Sequence, residues 1–286
     1  MDVVTRRADN PFLDLQIWPK IRRRDDDIVI ATYAKFGHLR MQMIIHELVT
    51  AAAGGQDKCL PWVELSHQKS KERIDALNAF EGRRILRTHF PADMMYNDSG
   101  KYVFIGREPR DLVFNAFQFL GRTSDDWYNH FGQYGEPLNQ PSQNFQSFWE
   151  DWMNNDGQPL WPYFKHLQSW WEKRNEANVL LVHFLDFKEN MEKELRRISD
   201  FLGLQICSES WPDILEVCEY SRVSKACLEE ATMDSPFWNG GRVFGEEVST
   251  PHSWKQCLTD GHETELENRV GGLIGKAGKN WLLRDR

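Results

Sequence analysis

Lys35 and Gly37 are the first residues whose types and spacing suggest chemistry. They stand in Ala34-Lys35-Phe36-Gly37, between the β-branched run DIVIATY (27–33) and MQMIIHELV, where Met41, Ile44, Ile45 and Leu48 recur at helical spacing. A strand ending in a Lys-x-Gly loop that opens a helix is a phosphate cradle in outline. Backbone N–H groups and the helix dipole face the anion, and the lysine adds a point charge. The alternative is an ordinary strand-to-helix turn with an exposed lysine. Neither GxxxxGK[ST] nor GxGxxG occurs in the chain. The five cysteines, Cys59, Cys207, Cys218, Cys227 and Cys257, are odd in number and never in CxxC spacing. They predict neither a disulfide framework nor a metal site, but buried free thiols in a reducing compartment, hence the cytoplasm.

A phosphate loop needs a strand before it and a helix behind it, and the chain repeats that unit. RILRTH (84–89) reads as a second strand broken by Pro91, and KYVFIG (101–106) as a third, followed by REPRD and the helix LVFNAFQFL. Pro159 and Pro162 flank Trp161 ahead of a helix YFKHLQSWWEKR, and VLLVHF (179–184) reads as a fourth strand, with His183 structural. Residues 189–202 place Met191, Leu195, Ile198 and Leu202 on one face, and Gly203 is a suitable stop. This alternation predicts an α/β fold of three layers, a central parallel sheet flanked by helices. With no internal repeat and no Pro/Gly/Ser-rich linker, residues 1–286 read as a single domain. The run RRRDDD (22–27) reads as a solvated lead-in loop because its charges cancel, and residues 234–255 look irregular.

Charge and hydropathy exclude whole classes of function. A net charge of −8 argues against general binding to nucleic acid or to an anionic membrane. At 41% hydrophobic residues and a mean hydropathy of −0.61 the composition is that of a soluble globular protein, and no apolar run nears the roughly 20 residues that span a bilayer. Residues 1–14 lack the apolar stretch of a secretory signal. The expected partner is therefore a small molecule, with a homodimer as the protein assembly considered.

Taken in order, DDDIVIATYAKFG, RILRTHFPADM, KYVFIGREPRDLVFNAFQF and WPYFKHLQSWWEKRNEANVLLVHFLDFKENMEKELRRISDFLGL make the chain resemble the cytosolic-type sulfotransferases from about Trp18 to Trp254. The resemblance implies a P-loop-like nucleotide-binding fold. It implies 3′-phosphoadenosine 5′-phosphosulfate (PAPS) as sulfuryl donor and the hydroxyl or amine of a small molecule as acceptor. By position, Lys35 matches the lysine that stabilises charge on the leaving phosphate, and Gly37 the loop glycine. His89 matches the general base, a role an imidazole with pKa near 6.5 suits. Arg107 matches the arginine on the 3′-phosphate, where a planar fork of donors is apt, and Asn115 stands where the family has serine.

The departures are as specific as the matches. The family loop continues Lys-Ser-Gly-Thr, then a hydroxyl residue and Trp, whereas this chain has Lys35-Phe36-Gly37-His38-Leu39-Arg40. Three hydroxyl donors and an adenine-stacking tryptophan are replaced, with His38 and Arg40 as substitute donors to phosphate. A lost hydrogen bond to a charged phosphate costs about 1.5–3 kcal/mol, and a lost stack on a base about 1–3 kcal/mol. The basic-Gly motif expected before Trp254 is replaced by EEVSTPHS (246–253), with Arg242 the nearest cation. Two functions follow: sulfuryl transfer from PAPS, or acid/base chemistry such as isomerisation, cyclisation or elimination on the same fold without that nucleotide. A third reading is a non-catalytic relative. The aromatic stretch 122–157, with Trp127, Tyr128, His130, Phe131, Tyr134, Phe145 and Trp149, reads as a lid over the acceptor pocket; the alternative is a surface loop pinned by its own side chains.

Overall fold

The computed structural model describes residues 14, 16–33, 38–53, 58–64, 70–121, 125, 128–129, 140, 142, 144–157, 162–219 and 253–284. Five strands, β1 (Ile28–Thr32), β2 (Lys58–Trp62), β3 (Arg84–Thr88), β4 (Lys101–Gly106) and β5 (Val179–His183), form one parallel sheet in the order β2-β3-β1-β4-β5. Four of them are the runs read from the sequence. The fifth, β2, went unread because Pro61 interrupts KCLPW and cannot donate to a ladder. It is tolerated at the sheet edge, where the register with β3 shifts between Cys59 and Trp62.

The strands are apolar on both faces because both faces are covered. Val29, Ala31, Leu86, Tyr102, Phe104 and Val179 point to one side, where they pack with Leu112, Val113 and Ala116 of α4 (Pro109–Leu120). Leu167 and Trp170, on a helix at Tyr163–Glu172, join them. Alternate residues Ile28, Ile30, Ile85, Val103, Ile105 and Val182 point to the other side, against Met41, Ile44 and Leu48 of α1 (His38–Ala53). Leu195 and Ile198, from a helix at Met191–Leu202, close that layer. Each such side chain contributes about 1.5–3 kcal/mol when fully buried. The three-layer α/β expectation therefore holds.

Between α1 and α4 lie α2 (Ser70–Ala79) and α3 (Ala92–Met95). After α4 we number the described helices α5 (Phe145–Asn154), α6 (Tyr163–Glu172), α7 (Phe184–Glu189), α8 (Met191–Leu202), α9 (Trp211–Val217) and α10 (Asp260–Leu282). Gly203 ends α8 at φ 71°, as its position after the amphipathic run predicted. No helical reading covered α10, whose glycines weaken the pattern and whose Gly275 breaks it at φ 71°. None of the described helices is long and apolar enough to cross a membrane. Cys207, Cys218 and Cys257 are free thiols.

The charged run 22–27 is not wholly solvated. Asp27 is fully buried and bound through both carboxylate oxygens to the fully buried Arg84, at 2.6 Å each. Arg23 is largely buried too, its guanidinium 4.7 Å over the Trp18 ring. Asp27 meets Arg23 of the same run at 3.9 Å, but its two-pronged partner is remote in sequence.

Candidate active site

The strand order places β1 between β3 and β4, so the chain leaves β1 at the point where successive connections diverge to opposite sides of the sheet. Clefts in such sheets open outside the carboxyl ends of the strands at this switch point. Register pairs Ala31 with Thr88 and Thr32 with Ile105. The residues just beyond are therefore His89 on one flank, Tyr33 in the middle and Arg107 on the other. Lys35 and Gly37 lie outside the described residues. His38 and Arg40 stand in the first turn of α1, and their side chains also lie outside them.

His89 is 1% exposed and sits against the last residue of β1. Its Nδ1 is 2.8 Å from the Thr32 carbonyl oxygen and 3.2 Å from Thr32 Oγ1. A carbonyl only accepts, so Nδ1 carries the proton and Nε2 carries the lone pair. That is the tautomer a base acting through Nε2 requires.

The turn that carries this imidazole is clamped from both sides. Phe90 N donates to Thr88 Oγ1 at 3.0 Å, and Thr88 Oγ1 donates to the buried Glu64, which also accepts from Trp18 Nε1 at 2.6 Å. From α6, Trp170 Nε1 donates to the Phe90 carbonyl at 3.0 Å, and Ala92 N donates to Ser169 Oγ at 2.8 Å. His166, on the same helix, hydrogen-bonds the Phe90 backbone. Burial first, and then the nearby His89, push the His166 imidazole down to about 3 against the opposing Phe90 hydrogen bond. His166 is thus neutral throughout the neutral pH range.

Arg107 is half-buried at the end of β4, its guanidinium 4.8 Å over the Phe184 ring. The strand end is tightly covered: a Cβ on Gly106 would run into the Trp281 indole. Glu108 caps α4 through the Arg110 N–H and binds Arg110 Nε with both oxygens at 2.9 Å. Arg110 reaches Glu263 of α10 at 2.7 Å and lies 4.2 Å over Trp254, tying the segment at Ser253–Gln256 to the start of α4.

Burial pushes Glu108 up to about 7 despite the opposing pull of Arg110. Because this lies above the 4.5 of an exposed glutamate, the native chain keeps a proton that the unfolded chain releases. The stability contributed is full below about pH 4.5 and lost as pH rises through about 7. The stability advantage of the wild type over Glu108→Gln is therefore expected to shrink between about pH 5 and pH 8, measured by urea unfolding at both values. An equal difference at the two would contradict the assignment.

The remaining predicted residues divide between the core and undescribed segments. Asn115 is buried and turned onto its own helix, Nδ2 donating to the Asp111 carbonyl at 2.7 Å. Tyr128 and Trp149 are buried members of the core cluster; the Tyr128 hydroxyl donates to the Leu120 carbonyl at 3.0 Å, and Trp149 stacks near Trp152. Trp127, His130, Phe131 and Tyr134 lie outside the described residues, as does Arg242. His183 is structural: Nδ1 accepts from Leu185 N, so Nε2 donates to the Leu282 carbonyl at 3.1 Å. Sequence reasoning missed Tyr163 and His166 near the site. Their signal was the spacing of Tyr163, His166, Leu167 and Trp170, which sets a histidine and a tyrosine on the apolar face of α6.

A family model described as a sulfotransferase domain matches residues 25–268. Sulfotransferase 1A1 of Rattus norvegicus is 25% identical over 271 residues, 87% of this chain and 82% of its own. A glycolipid sulfotransferase of Mycobacterium bovis is 23% identical over 90% of this chain and 87% of its own. Among solved structures, a mouse sulfotransferase complexed with PAP superposes with a TM-score of 0.70 at 18% identity, covering 93% of this chain and 92% of that one. Retinol dehydratase in a complex with retinol and PAP gives 0.68 at 18%, covering 91% and 84%.

Proposed function

Because the chain belongs to the sulfotransferase family, matched across residues 25–268, we propose that it transfers a sulfuryl group from PAPS to a hydroxyl or amine of a small molecule in the cytoplasm. The observation that carries this reading is the meeting of three strand ends at one edge, with an imidazole beside them whose lone pair is on Nε2. Family membership favours it over nucleotide-independent acid/base chemistry.

The residues present fit the nucleotide. Arg107 lays one face of its guanidinium on Phe184, and its donors lie in the guanidinium plane, the direction from which phosphate oxygens are bound. Lys35 and Gly37 come between β1 and α1 in the sequence, and His38 and Arg40 open α1, whose N-terminus favours negative charge. When bound, PAPS supplies an electrophilic sulfur and a phosphate leaving group. Nε2 of His89 takes the proton of the acceptor as it attacks, while Nδ1–H stays on the Thr32 carbonyl, whose dipole favours the imidazolium that forms. Lys35 meets the charge on the departing phosphate oxygen. Arg107 would hold the 3′-phosphate, whereas Asn115, on the following helix, has its amide on the Asp111 carbonyl.

Replacing Arg107 by Ala is expected to weaken the binding of the desulfonated nucleotide PAP about 10- to 100-fold, since hydrogen bonds to charged groups contribute about 1.5–3 kcal/mol. Calorimetry reads this directly, and an unchanged dissociation constant would remove Arg107 from the site. The function itself is tested by incubating the chain with PAPS and a panel of phenols and amines. Sulfated product and PAP should appear together, only when donor and acceptor are both present. PAP formation with none of them, or conversion of an acceptor without nucleotide, would contradict the proposal.

A further inference from the structure

Between β4 and α6 lies a cavity of about 10 Å³ whose wall includes Tyr33, Phe104, Arg107, Tyr163 and His166. This is the room one water-sized group needs. Tyr163 and His166 are 3% and 1% exposed, and neither Tyr163 Oη nor His166 Nε2 has a hydrogen-bond partner among the described residues. Two buried polar atoms left unpaired on one cavity are uncommon in native folds, because each has given up its hydration.

The two atoms are complementary. The hydrogen bond from His166 to the Phe90 backbone raises the imidazole pKa, so it is one in which the ring donates. Nε2 is the unpaired nitrogen, so Nδ1 is the donor and Nε2 presents a lone pair. Tyr163 presents an O–H that donates and an oxygen that accepts. One hydroxyl lying between them would satisfy both, giving its proton to Nε2 and accepting from Oη. The rings are held: Tyr33 stands edge-on to Tyr163 at 5.1 Å, and Phe104 lies 5.6 Å from His166. Tyr33 keeps its own hydroxyl on the Gly157 carbonyl at 2.6 Å. An anionic phosphate or sulfate oxygen has no proton to give Nε2, and Arg107 on the wall disfavours a cation.

We propose that Tyr163 and His166 form a binding subsite for one hydroxyl group, delivered by a water molecule or by a small alcohol or phenol. This subsite does not depend on the proton transfer assigned to His89. Its test is a pair of crystal structures of the full chain, one untreated and one soaked with phenol. A density peak within about 3.2 Å of both Oη and Nε2 is expected. A peak present without phenol and retained with it identifies water as the source; a peak that becomes, or appears only as, the phenol oxygen identifies the ligand. An empty cavity in both crystals overturns the proposal. Tyr163→Phe keeps the ring and should abolish the peak. In solution, nitrogen NMR should show the His166 Nε2 resonance shifting on that substitution as its hydrogen-bonded partner is lost, and identical resonances in the two proteins overturn the proposal independently of the crystals.

Discussion

His89→Asn is expected to lower sulfuryl transfer about 10²- to 10⁴-fold, the range of positioned acid/base groups, and to leave PAP affinity unchanged. The choice of asparagine follows from the hydrogen bonding. Its amide N–H can still donate to the Thr32 carbonyl that now receives Nδ1–H, so the junction between β1 and β3 keeps a bond in place. What disappears is the basic nitrogen. The turn itself is held through Phe90 and Ala92 by Thr88, Ser169 and Trp170, none of which depends on the imidazole. Stability should therefore change little while turnover collapses. Turnover within about threefold of wild type would exclude His89 as the base.

The largest expected effect on stability is at the opposite edge of the sheet. Arg84→Met should destabilise the chain by about 3–5 kcal/mol, because it takes from the buried Asp27 carboxylate its two-pronged partner and leaves only Arg23, 3.9 Å away. Arg84 gives Nε and Nη2 to Asp27 at 2.6 Å each, Nη1 to the Leu77 carbonyl at 3.0 Å and Nη2 to the Arg22 carbonyl at 2.6 Å. Asp27 is the residue before β1, and its carbonyl accepts from Lys101 N, the first residue of β4. One ion pair thus fastens the starts of three strands. Adding Asp27→Leu should recover much of the loss, since a matched apolar pair carries no stranded charge. The urea midpoint reads both effects, and a loss below about 1 kcal/mol would refute the account of this pair. The folded variant should retain its turnover, because five residues of strand, roughly 16 Å, separate Arg84 from the catalytic edge.

That pair shows where sequence reading stopped. The strands at β1, β3, β4 and β5 were legible because runs such as IVIAT and KYVFIG are apolar on both faces, which only a covered parallel sheet demands. The charged run before β1 was misread because cancellation of sign within 22–27 is a local property, whereas Asp27 finds Arg84 across 57 residues of chain. His89 and Arg107 were singled out through the segments RILRTH and KYVFIGREPR, and the sheet sets them beyond two strands that both flank β1. The tautomer of His89 was not legible, since it depends on a carbonyl supplied by a neighbouring strand. Tyr163 and His166 were passed over because an apolar helix face hides polar atoms as readily as it marks core.

The most direct test is calorimetric titration of the full chain with PAP. The segment after β1 carries Phe36, His38, Leu39 and Arg40 where the family resemblance leads one to expect hydroxyl residues and tryptophan, so nucleotide affinity is where sulfuryl transfer is most exposed to refutation. Saturable binding of one nucleotide per chain, weakened by Arg107→Ala and unaffected by His89→Asn, is the predicted result. No heat of binding up to millimolar PAP would contradict it.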